Sequence, residues 1–140
     1  MASKLIYTAK VSTSGGREGR SRSDDGQLDV ALVMPKEFGG PGGTGTNPEQ
    51  LFAAGYSACF LSALKLTVRL EKVTLSADPS IDAEVGVVSG DDGYALTATL
   101  NITMPGVDRP TAEKLVAGAH ARCPYSRAIR GNIDVALNIV

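Results

Sequence analysis

From Leu51 to Leu66 the chain reads LFAAGYSACFLSALKL, apolar or small on almost every side of a helical wheel. A helix that is apolar nearly all round must be buried, so the other segments have to wrap this one. Its start is well marked: Asn47 can cap, Pro48 suits the first helical position, and Glu49 complements the positive end of the helix dipole. The pattern predicts a helix running to about Glu71. Ala54, Gly55 and Ala58 are small enough to let another backbone approach closely. The most apolar part, Leu51 to Leu64, is interrupted by Gly55, Tyr56, Ser57 and Ser62 and is expected to be too short to span a bilayer.

Around it the period falls to two. In KLIYTAKVST, residues 4–13, Leu5, Tyr7, Ala9 and Val11 share one side, which predicts a half-buried strand. Ser14-Gly15-Gly16 is a turn. Arg17 to Asp25 is polar and reads as a second strand or an exposed ribbon, and Gln27 to Met34 as a third strand, giving an antiparallel meander. Pro35 to Thr46 carries five glycines but no Gly-Lys-Ser/Thr ending and no GxGxxG opening a helix. It is read as a surface loop and not as a phosphate cradle. Ser80 to Val88 and Tyr94 to Met104 are strands joined by Gly90-Asp91-Asp92-Gly93, and Leu96, Ala98, Leu100 and Ile102 alternate with Ala95, Thr97, Thr99 and Asn101, which fits one face in and one face out. A helix is expected from about Pro110 to Arg122 with Leu115, Val116 and Ala119 inside. Pro124 marks its end or a kink. Asn132 to Val140 closes as a strand with Ile133, Val135, Leu137 and Ile139 on one side. The order βββ, α, ββ, α, β predicts an α+β fold, mostly antiparallel, as one domain over residues 1–140.

Lys and Arg number 14 against 15 Asp and Glu, a net charge of -1, which argues against a nucleic-acid binder. No apolar run of signal-peptide length opens the chain, so a cytoplasmic protein with no membrane association is expected. A permanent structural disulfide is out of place there, whereas a transient one is not.

There are two cysteines, Cys59 and Cys123, and one histidine. A four-ligand zinc site would need both thiols, His120 and a carboxylate, and the chain has no CxxC and no Cys/His cluster, so no metal is expected. His120 reads most simply as a solvated or capping residue. Cys59, inside an apolar helix, can be a small packing residue. Cys123 stands at a helix end beside Pro124, with Arg122, Arg127 and Arg130 near in sequence, surroundings that favour a thiolate. Arg17 follows a double glycine and Glu49 opens the apolar helix. Both can be plain surface charges. An arginine held by a carboxylate would also stabilise a buried thiolate, and sequence spacing alone does not bring these groups together.

NPEQLFAAGYSACF (Asn47 to Phe60) and CPYSRAIRGNIDV (Cys123 to Val135) resemble the organic hydroperoxide resistance proteins of the Ohr/OsmC family. The GGPGGTGT loop and the early TSGGREG segment are similar to it as well, so the resemblance spans essentially the whole chain. It implies a thiol-dependent peroxidase acting on alkyl and fatty-acid hydroperoxides. Cys59 would be the peroxidatic cysteine and Cys123 the resolving one. Arg17 would stabilise the thiolate and the peroxide, and Glu49 would orient Arg17. The implied reductant is an external dihydrolipoyl dithiol, free or on a lipoylated protein, with no bound cofactor. The implied fold is an OsmC-like intertwined homodimer with antiparallel sheets around a buried central helix. Ile129 departs from the threonine usual in the last motif. Arg20 and Arg22 follow closely, so the assignment of Arg17 rests on the GGR register. Glu49 precedes Cys59 by ~15 Å of straight helix. Arg17 and Glu49 are therefore expected either to reach Cys59 from the partner subunit, or Arg17 alone to be brought across by a bend. Two other readings stay open: an OsmC-type peroxidase of broader peroxide range, and a non-enzymatic binding protein for apolar ligands. A redox sensor is a third, without a DNA-binding helix pattern to support it.

Overall fold

The computed structural model describes residues 2–140. The chain forms two compact units, one up to Pro48 and one from Glu49 to Val140.

The first unit is a three-stranded antiparallel sheet of β1 (Val11–Ser14), β2 (Arg20–Ser23) and β3 (Asp29–Ala31), in that order. Gly15 turns the chain in the left-handed region, φ 74°, and a 3-10 turn over Gly16–Glu18 completes the connection. The strand expected over residues 4–13 begins only at Val11, and Leu5 and Tyr7 are exposed. The physical reason lies in the partner. The β2 ladder ends at Ser23, opposite Val11, and only the Asp24 N–H reaches further, to the Lys10 carbonyl. Alternation without a ladder does not make a strand. The third strand is likewise shorter than Gln27 to Met34. Leu32 instead forms a bridge to Thr46 that closes the glycine-rich loop.

The second unit carries the core. Helix α1 spans Pro48–Leu70. Strands β4 (Ser80–Gly90) and β5 (Gly93–Thr103) pair antiparallel through a tight hairpin. Helix α2 (Arg109–Arg122) starts at Asp108, whose carboxylate accepts hydrogen bonds from the Thr111 N–H and hydroxyl, with Pro110 in its first turn. A short helix α3 (Pro124–Ile129) follows, and β6 (Val135–Ile139) runs parallel to β5. This α+β architecture agrees with the expectation from sequence, with two differences: α3 was not expected, and the last strand pair is parallel. The inward residues of β5 and β6 are those expected, including Ala98, Leu100 and Ile102.

One apolar cluster joins Tyr56, Phe60 and Leu64 of α1, Leu100 and Ile102 of β5, and Leu115, Val116 and Ala119 of α2. Burial of α1 is one-sided, contrary to the expectation of a helix enclosed all round. Tyr56, Phe60, Ala63, Leu64 and Thr67 are buried, while Ala54, Ala58, Ser62, Lys65, Leu66 and Arg69 form an exposed stripe. The expectation that the apolar run is too short for a bilayer also needs correction. At 23 residues α1 is, by length and hydropathy alone, long and apolar enough to cross one.

Candidate active site

Cys59 sits on α1 one turn after Tyr56, half-buried, and Cys123 is fully buried at the junction of α2 and α3. Both thiols are free. The local sequence explains the junction. Pro124 disfavours a helical conformation at the residue before it, so Cys123 leaves α2 with φ -61° and ψ 122°. The same residue then caps α3: its sulfur accepts the Ser126 N–H at 3.5 Å, and Pro124 supplies the first helical position, where no N–H is needed. Cys123 is thus the last cap of one helix and the first cap of the next.

The α3 turn seats Cys123 in the buried cluster against which Cys59 packs. Burial pushes the Cys59 thiol up, the Tyr125 N–H pulls it down, and the neighbouring Cys123 sulfur pushes it up again. The Tyr125 ring stacks on Tyr56, with centroids 5.9 Å apart, and meets the edge of Phe52 at 6.0 Å. Gly55 permits this approach, since a Cβ there would stand 2.6 Å from the Tyr125 hydroxyl. An open groove of about 910 Å³ runs from Cys59 along α1, lined by Leu61, Leu66, Lys65, Arg69, Arg122 and Pro124 among others.

Arg17 stands on the 3-10 turn of the first unit with its guanidinium 5.0 Å above the centre of the Phe38 ring, and Glu49 lies in the first turn of α1. Because α1 is unbroken from Pro48 to Leu70, Glu49 and Cys59 are ~15 Å apart along its axis. Two of the three arginines near Cys123 in sequence are engaged elsewhere. Arg122 reaches the Thr67 hydroxyl and the Gly118 carbonyl, and Arg130 donates to the His120 carbonyl at 2.7 Å. Among the described residues no group of three or more His, Cys, Asp or Glu is arranged to hold a metal ion.

His120 departs from its simple reading as a solvated residue. It is half-buried, its ring lies beside Phe60, and its Nδ1 is 2.9 Å from the Ser126 hydroxyl. Sequence reasoning missed Ser126, which is fully buried and also 2.7 Å from the Tyr56 hydroxyl. The available signal was spacing: His120 and Ser126 stand three positions either side of Cys123. Desolvation, and to a lesser degree the Arg130 charge, hold His120 below the ordinary imidazole pKa. A depressed histidine binds its proton more readily in the unfolded chain. Its contribution to stability is therefore complete above the unfolded value of about 6.5 and is lost as pH falls through the folded value. The expected result is a melting-temperature difference between wild type and His120→Asn that shifts against the wild type between about pH 7.5 and pH 5. A pH-independent difference would contradict it.

A family model described as OsmC-like protein matches residues 40–138. The chain is 49% identical over 136 residues to an organic hydroperoxide resistance protein of Xanthomonas axonopodis pv. citri, covering 97% of this chain and 96% of that one. It is 45% identical to the organic hydroperoxide resistance protein OhrB of Bacillus subtilis over 96% of this chain and 98% of the other. The crystal structure of that OhrB superposes with a TM-score of 0.88, covering 97% of this chain and all of the other (100%). An organic hydroperoxide resistance protein from Elizabethkingia anophelis superposes with a TM-score of 0.92 at 41% identity, covering 98% of each chain. With near-complete coverage at these identities, the chain belongs to the organic hydroperoxide resistance proteins of the OsmC-like family.

Proposed function

We propose that this protein detoxifies organic hydroperoxides as a two-cysteine peroxidase. The observation that carries this reading is that the two free thiols share one cluster, Cys123 inside it at the α3 turn and Cys59 packed against it. The Cys59 thiolate attacks the terminal oxygen of ROOH. The O–O bond breaks, the alkoxide takes a proton and leaves as ROH, and the sulfur, oxidised by two electrons, becomes a sulfenic acid. The Cys123 sulfur then attacks Cys59. An S–S bond forms, the S–O bond breaks, and hydroxide leaves as water with the Cys123 proton. An external dihydrolipoyl dithiol reduces the disulfide by exchange and becomes a cyclic lipoyl disulfide.

Burial raises the Cys59 pKa, so the thiolate needs a cation, and the family resemblance gives that role to Arg17 with Glu49 orienting it. Along one helix Glu49 is too far to act on Cys59 directly, which favours action through Arg17 or from a partner subunit. The working form in this reading is a homodimer. The exposed stripe of α1, with its small residues Ala54 and Ala58, is consistent with a second copy packing there.

The substrate class follows from the surroundings. Ala58, Leu61, Leu66 and Pro124 give the groove at Cys59 an apolar lining, and each CH₂ of an alkyl peroxide buried there contributes about 0.8 kcal/mol. The test is steady-state consumption of cumene hydroperoxide and of hydrogen peroxide with dihydrolipoamide as reductant, alongside light scattering of the same sample. Expected are a kcat/KM at least 10-fold higher for the organic peroxide, roughly two buried CH₂ groups' worth, and a dimeric mass. Equal efficiency on both peroxides would count against the apolar site, and a monomer against the homodimer.

A further inference from the structure

Three polar side chains that this chemistry does not use meet at the turn carrying Cys123. The Ser126 hydroxyl lies 2.7 Å from the Tyr56 hydroxyl and 2.9 Å from His120 Nδ1. Tyr56 and Ser126 are both completely enclosed. A buried hydroxyl proton without an acceptor is costly, so the direction of the chain can be worked out. If Tyr56 donates to Ser126, and Ser126 donates to Nδ1, both hydroxyl protons have acceptors and His120 carries its own proton on Nε2. In the reverse direction the Tyr56 proton is left over. The satisfied arrangement is Tyr56 to Ser126 to His120.

Its placement repeats that of the sulfurs, one turn away on each element. Tyr56 precedes Cys59 by three positions on α1, His120 precedes Cys123 by three at the end of α2, and Ser126 follows Cys123 by three in α3. Ser126 also holds the junction through its main chain: its N–H goes to the Cys123 sulfur and its carbonyl accepts the Arg130 N–H at 3.0 Å. One residue therefore ties three helices together with its hydroxyl while holding the Cys123 sulfur with its amide.

We propose that Ser126 is a positioning residue which, through Tyr56 and His120, holds the Cys123 sulfur against Cys59 and so sets the rate at which the Cys59 sulfenic acid closes to the disulfide. The proposal rests on the peroxidase reading for the reaction it assists, and on geometry alone for the positioning.

The test is a partition experiment on the full chain. Fully reduced protein receives a single turnover of cumene hydroperoxide in the presence of dimedone, which traps sulfenic acid. Intact mass then gives the ratio of dimedone adduct to Cys59–Cys123 disulfide, with Cys123→Ser as the fully trapped reference. Loss of one hydrogen bond of the chain is expected to raise that ratio about tenfold in Ser126→Ala and in Tyr56→Phe, which keeps the ring and its packing. Because both act through one chain, the double variant should go little beyond either single one. His120→Asn, which retains a hydrogen-bonding group, should lie near wild type, and His120→Leu should match Ser126→Ala. A ratio unchanged in both Ser126→Ala and Tyr56→Phe would overturn the proposal, as would effects of the two that simply add.

The same variants oxidised with diamide separate this proposal from the peroxidase reading. Diamide takes one thiolate by addition, and the second thiolate displaces the hydrazine to form the disulfide, with no peroxide involved. Slower closure in Ser126→Ala and Tyr56→Phe supports positioning even where the wild type leaves peroxide untouched. Equal closure overturns it even where the wild type is an active peroxidase.

Discussion

Cys59→Ser is expected to lose peroxide consumption by several orders of magnitude, with unchanged folding. A hydroxyl in the Cys59 position has neither the nucleophilicity of a thiolate nor a sulfur to carry the transferred oxygen, so no other route through the site remains. Cys123→Ser should behave differently. Its Cys59 still meets the peroxide, and the protein consumes a single equivalent before stalling as a sulfenic acid that dimedone traps. Excess dithiol can then restart it slowly. The contrast is what gives the pair its meaning, because loss of a packing residue would affect both variants alike through stability. Normal turnover by Cys59→Ser would remove the proposed chemistry altogether and return the chain to the reading of an apolar-ligand binding protein.

The second large effect concerns the fold itself. Leu100 is completely buried in β5, opposite Ala83 of β4 and Leu137 of β6, and belongs to the cluster that includes Tyr56 and Phe60. Leu100→Ala removes three carbon atoms from a site that the sheet on both sides keeps from collapsing. The expected cost is about 2–5 kcal/mol, against a total stability for such a domain of about 5–15 kcal/mol. A drop of roughly 10 °C in melting temperature should accompany it. Val88→Thr, half-exposed near the end of β4, provides the contrast and should move stability by about 0.5 kcal/mol. A small effect at Leu100 would mean that the core lies elsewhere than in the contact of α1 with this sheet.

Much of this was legible in the residues. Asn47-Pro48-Glu49 marks the start of α1, the alternation through Leu96, Ala98, Leu100 and Ile102 gives the inward face of β5, and Leu115, Val116 and Ala119 give that of α2. These patterns are local, so a sequence carries them whole. What failed was what depends on a partner. Residues 4–10 alternate like a strand, but their fate depends on how far β2 extends beside them. The exposed stripe of α1 is apolar enough to be read as core, and only the tertiary arrangement shows which side the sheet covers. The α3 turn is hidden because Pro124 reads as an end or a kink; it is equally a beginning, as the first residue of a helix. Both cysteines could be placed by the motifs that carry them. The spacing of His120 and Ser126 about Cys123 offers a hint, but a hydroxyl and an imidazole become a chain only once α1, α2 and α3 are packed.

The parallel pairing of β6 with β5 has a consequence for how the molecule assembles. Parallel neighbours cannot be joined by a hairpin, so β6 reaches its place only after the chain has travelled through α2 and α3. The entropy of closing that long loop has to be met before the sheet contacts reward it. The segment being closed is the one that carries Cys123. Pairing of the last strand and placement of the segment that carries Cys123 therefore draw on the same loop closure.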